Sequence, residues 1–236
     1  MIENIVSIVT TLFLLVIFLL LCAPRFGRRK TLRLVSGMYI LSCGAFLIAL
    51  RFGMQPAPAA AAFLTVPSFF FCGFLSRYRD FRFVFTFCSV DIWGMMALSA
   101  ATMLTVGFSL AAFWLLVWTV ALFAGLLAFA CWIRASYRRL QRELEQGWGP
   151  LAFLSVCFYI SLYFNIGYPA PLRERPAYYP VILVNFAVIA VSYLVLLQFI
   201  ASLKRAADSQ RDAQLMQVQI ALKNSQLKEQ ELYYRL

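Results

Sequence analysis

The chain has 236 residues, 63% of them hydrophobic and only 13% charged, and a formal net charge of +11. A soluble domain is about 45–50% apolar and about 25% charged, so this balance excludes one and indicates a polytopic membrane protein without room for a separate catalytic domain. The absence of histidine excludes His-based metal sites and His acid–base chemistry; no metal or cofactor is expected. The positive charge is expected to report topology and contact with anionic lipid, not nucleic acid.

The first apolar run, Ile5 to Cys22, lacks a basic segment before it and a small-x-small cleavage site after it. It reads as a first span, not a signal peptide. Pro24 to Lys30 forms a basic turn, and Thr31 to Leu50 a second span. After a short loop, Arg51 to Pro58, a third span runs from about Ala59 to Leu75 with a kink expected at Pro67. Ser76 to Arg82 is a second basic turn. The 83–132 stretch is too long for one crossing and breaks best at Thr105-Val106-Gly107, which predicts spans at Phe83–Leu104 and Phe108–Trp132. The charged segment Arg134 to Gln146 is expected as an interfacial extension of the fifth helix. A sixth span starts at Trp148-Gly149-Pro150 and ends near Tyr168; a Pro-rich loop, Pro169 to Pro180, leads into the seventh.

The basic residues test this count. Turns one, three and five with the tail, counting Arg33 at the edge of turn one, hold eighteen of the 21 Lys and Arg; the other loops hold only Arg51, Arg173 and Arg175. By the positive-inside rule this predicts seven spans in the cell membrane, N-terminus outside and C-terminus cytoplasmic. The outer loops are short, so any signal must bind among the helices, at their outer mouth, or be a property of the bilayer. The six cysteines, Cys22, Cys43, Cys72, Cys88, Cys131 and Cys157, lie in or beside apolar runs without a CxxC and read as packing residues.

Asp91 is the one acidic residue deep in a span, roughly 12 Å from its cytoplasmic end at 1.5 Å per residue. An ionisable group at that depth is either a coupling residue or half of an interhelical hydrogen bond. Arg77, Arg79 and Arg82 surround Asp80 and are expected to anchor the cytoplasmic face, bracketing one another or lipid phosphates. Asn165 and Asn185, with Arg51 and Arg173, fall towards the outer side. They form either a polar mouth for an anionic or peptide ligand or polar contacts between helices. The catalytic inventory is empty.

The seventh span starts at Pro180, and at Lys204 composition changes to a Gln-, Lys-, Glu- and Leu-rich tail without Pro or Gly. Leu215, Val218, Leu222 and Leu232 fall on one heptad-like stripe that is interrupted at Ser225 and Glu229. The expectation is one helix that leaves the bilayer and pairs in a marginal parallel coiled coil, hence a homodimer. The fold class is all-α: a seven-helix transmembrane bundle over residues 1–203 and a cytoplasmic signalling helix over 204–236.

The segments FCGFLSRYRDFRFVFTFCSVDIW (Phe71–Trp93) and PLRERPAYYP (Pro171–Pro180), with the tail ending QLKEQELYYRL, resemble the N-terminal membrane sensor region of bacterial GHKL-type sensor histidine kinases. In plan they are similar to the peptide-sensing quorum kinases. The resemblance implies a receptor that relays an extracellular or membrane signal through the last span to a dimeric helix. A response regulator would be reached only through a kinase domain, before which the chain stops. A kinase-less decoy partner of a full-length kinase, or a small transporter or other integral-membrane protein, are the alternatives. For transport the spans offer one carboxylate and no inward Lys.

Overall fold

The computed structural model describes residues 2–108, 110–144, 147–167 and 170–235. Among these the chain is all-helical, with seven helices long and apolar enough to cross a membrane. In order they are α1 (Ile2–Leu21), α2 (Arg28–Arg51), α3 (Pro56–Ala60), a π turn (Ala61–Thr65), α4 (Val66–Leu75), α5 (Phe81–Leu104), α6 (Ala111–Glu143), α7 (Trp148–Gly167) and α8 (Tyr179–Arg235). Two 3-10 turns, Leu172–Glu174 and Pro176–Tyr178, precede α8. The expected end of the sixth span near Tyr168, and Pro169 after it, lie outside the described residues. The chain divides into two compact units, Met1–Ile189 and Ala190–Leu236.

Helix limits follow local chemistry. Pro24 stops α1, because the residue before a proline is pushed out of the helical region. Asp80 caps α5: its carboxylate accepts the Arg82 N–H at 3.0 Å and sits where the helix dipole favours negative charge. The break between α5 and α6 falls at the expected Thr105–Gly107, with Gly107 at φ +87°. Leu110 is also left-handed, at φ +65°, so α6 begins at Ala111 and not at Phe108. As expected, α6 continues through the charged segment, to Glu143.

The third crossing differs from expectation in where it is disturbed. Pro67 lies in the first turn of α4, and the irregularity sits upstream as the Ala61–Thr65 π turn. Proline has no N–H and its ring crowds the carbonyl four residues back, so the preceding turn widens. The Val66 N–H accordingly bonds Ala61 O, five residues back.

Within the first unit, α5 is the central helix, with buried side chains along its length. It packs against α1, α4, α6 and α7. Phe18 of α1, Phe69 of α4 and Phe83 and Phe87 of α5 interlock with ring centroids 5.1–6.1 Å apart. Tyr39 ties α2 to α1 by donating to Ile8 O at 2.8 Å. Leu41 on α2, Trp132 on α6 and Phe153 on α7 are exposed, the pattern of a surface whose solvent is lipid.

Candidate functional site

Two features converge on α5. The first is a small cavity at mid-span, between α1, the π turn with α4, and α5. Asp91 lines it with Thr11, Leu14, Thr65, Ser68, Cys72 and Phe87, and its volume is about 40 Å³. At roughly 10–15 Å³ per water, that admits about two to four waters. Asp91 stands ten residues into α5, roughly 15 Å along its axis. Among the described residues no hydrogen bond or ion pair reaches its carboxylate, and the buried Ser68 Oγ on the same wall also has no partner. Thr11 donates to Ser7 O at 2.9 Å and keeps its oxygen lone pairs. A carboxylate at that depth is costly wherever water or a hydroxyl does not solvate it.

Close approach of α1 to α5 shapes this cavity. Gly94, one turn beyond Asp91, faces Leu14, and a Cβ there would collide with Leu14 Cδ2. The π turn contributes Thr65 and Leu64 to the opposite wall. Such turns recur where a helix must present side chains out of regular phase.

The second feature is a lock at the basic end. An antiparallel bridge joins the turn after α1 to the turn after α4: Arg25 N–H donates to Leu75 O at 2.8 Å and Arg77 N–H to Ala23 O at 3.0 Å. Cys22 Sγ and Ser76 Oγ lie 3.0 Å apart beside it. From α6, Arg138 Nη2 donates to Leu19 O and Cys22 O, both at 2.9 Å, capping the last turn of α1. Arg82 is buried: it donates to Gln141 O at 2.7 Å, approaches Asp80 at 3.3 Å and covers the Tyr78 ring at 4.7 Å. Thr86 Oγ1 stands 2.8 Å from the Tyr137 hydroxyl and accepts from Gln141 Nε2 at 3.1 Å. Three basic turns thus gather at one end of the bundle.

The residues singled out from sequence fare differently. Asp91 lies in the cavity. Asp80 and Arg82 belong to the lock, whereas Arg77 and Arg79 point their side chains outward as exposed cations. Among the described residues no hydrogen bond joins Arg51, Asn165 and Asn185. Asn165 instead donates to Ser161 O of its own helix at 2.8 Å. Arg175 reaches the end of α7, donating to Asn165 O and Ile166 O at 3.1 and 3.2 Å. Leu215, Val218 and Leu222 are exposed on α8; the side chain of Leu232 lies outside the described ones. Sequence reasoning missed Arg138, Gln141 and Tyr137 as lock residues. The available signal was the persistence of basic and polar residues along the last turns of α6.

Comparison with protein-family models, curated proteins and solved structures found no match.

Proposed function

We propose that the chain is the membrane module of a sensor, with its basic end in the cytoplasm, like the kinase sensor regions that its sequence resembles. The packing around Asp91 is the switch: a carboxylate without a hydrogen bond or ion pair to a described residue, beside a close α1–α5 contact, makes two arrangements similar in energy, and a small shift there selects between them. The output is the polar part of α8, which pairs with that of a second copy through Leu215, Val218 and Leu222.

The observation that supports this reading most is that α8 is a single helix from Tyr179 to Arg235, holding both a membrane-length apolar stretch and the charged, Gln-rich tail. A protein that only had to anchor or transport has no need to extend its last helix so far.

The test uses the full chain in proteoliposomes, with the exposed thiols Cys131 and Cys157 replaced by Ser and a single cysteine placed in turn at 215, 218 and 222. Disulfide crosslinking is expected to be strongest on the stripe positions and to change pattern with Asp91→Asn while membrane insertion is unchanged. Absence of crosslinks at all three positions, or a pattern identical with and without Asp91, would refute the relay.

A further inference from the structure

A groove runs along the outside of the bundle beside the basic end, between the last turns of α4 and the start of α5. Phe69, Phe70, Gly73, Phe74 and Phe83 wall it, Arg79 stands at its rim, and its volume is about 360 Å³, within the range of small-ligand sites. The geometry points to a binding site for one anionic phospholipid, its phosphate held at the rim and an acyl chain laid along the phenylalanine rings. Nothing in this inference depends on the sensor reading.

Four observations carry it. Gly73 leaves the groove open: a Cβ would meet the Phe83 ring at 3.3 Å, so any side chain there crowds the ring that forms the wall by a few tenths of an ångström. Phe70 and Phe74 are 70% and 46% exposed, apolar surface that lipid tails would cover. The charge at the rim is uncompensated. The neighbouring carboxylate, Asp80, is engaged by the Arg82 side chain at 3.3 Å and backbone at 3.0 Å, while Arg79 has no ion pair among the described residues. Further cations border the same wall, because Phe74 packs on Phe26 at 5.5 Å and Phe26 carries Lys30 at 4.7 Å and Arg25 at 5.7 Å from its ring. The order of features, apolar rings below and cations above, matches a phospholipid at the headgroup boundary and no soluble anion. The start of α2 supports it. Arg28, Arg29 and Lys30 occupy a helix N-terminus without an acidic residue or a side-chain cap, an arrangement that a nearby phosphate relieves.

The full chain, delipidated in a neutral detergent, is titrated with phosphatidylglycerol or phosphatidylcholine of identical acyl chains, and bound lipid is counted by native mass spectrometry. The wild type is expected to retain one phosphatidylglycerol in preference to phosphatidylcholine. Arg79→Gln should lower that preference about fivefold, the worth of one cation near an anionic surface, and Arg79→Lys should restore most of it. Inorganic phosphate should not displace the lipid. Equal retention of the two lipids by the wild type, an undiminished preference in Arg79→Gln, no rescue in Arg79→Lys, or displacement by inorganic phosphate would each overturn the assignment.

Discussion

Replacing Arg138 by Ala tests whether the basic end is a lock or only a charged rim. Its guanidinium makes two bonds of 2.9 Å to the Leu19 and Cys22 carbonyls, which α1 itself cannot satisfy beyond its last turn. A hydrogen bond to a charged donor contributes about 1.5–3 kcal/mol. The helix-terminal cation adds about 0.3–1 kcal/mol. Arg138 Nε is buried without a partner, which argues for the low end of the first range. With two such bonds the sum is about 3.5 kcal/mol, a factor of roughly 400 in the folding equilibrium. Unfolding of the detergent-solubilised chain by a denaturing detergent, followed by circular dichroism, measures it against wild type and against Arg138→Lys. Lysine keeps the charge but cannot reach both carbonyls in a planar fork, so it should recover only part of the loss. A change below about 0.5 kcal/mol for Arg138→Ala, the level of an unremarkable surface substitution, would refute the lock.

Three further outcomes are expected. Gly94→Ala should destabilise the bundle by about 1–3 kcal/mol through overpacking on Leu14, and Leu14→Ala in the same chain should return part of that loss; strictly additive effects in the double-mutant cycle would contradict the contact. Arg175→Ala removes the donor to the Asn165 and Ile166 carbonyls and should destabilise the end of α7 by about 1–2 kcal/mol, seen as faster deuterium uptake over residues 170–178; unchanged uptake would count against the cap. Leu215→Lys together with Leu222→Lys should abolish tail crosslinking in membranes without altering the helix content, and persistence of the crosslinks would show that another face pairs.

Much of the architecture was legible beforehand because a bilayer imposes simple requirements. Each crossing must be about 20 apolar residues with all its backbone groups bonded internally. The runs at 5–22, 31–50 and 83–104 and the start of the sixth at Trp148 could therefore be read to within about three residues. The departures come from effects that hydropathy does not register. Pro67 signals a disturbance in the third crossing, but hydropathy does not register that it takes the form of a π turn at Ala61–Thr65. Phe108 belongs to the apolar run, yet the left-handed Leu110 delays the helix to Ala111.

The candidate site divides the same way. Asp91 could be singled out because charge at mid-span is costly in any fold. Its company could not, since Thr11, Ser68 and Asp91 come from three separate helices. Arg77, Arg79, Arg82 and Arg138 look alike as letters, yet two bear on the interior and two on the exterior. The sequence alone determined how many membrane-length segments there are, which turns are basic, and that one carboxylate lies deep, because transfer free energy and charge are local properties of residues. Only the tertiary structure decided which arginines bond carbonyls and which remain exposed, where glycine admits a neighbouring helix, and that a cavity forms beside Asp91, because those depend on contacts between residues far apart in the chain.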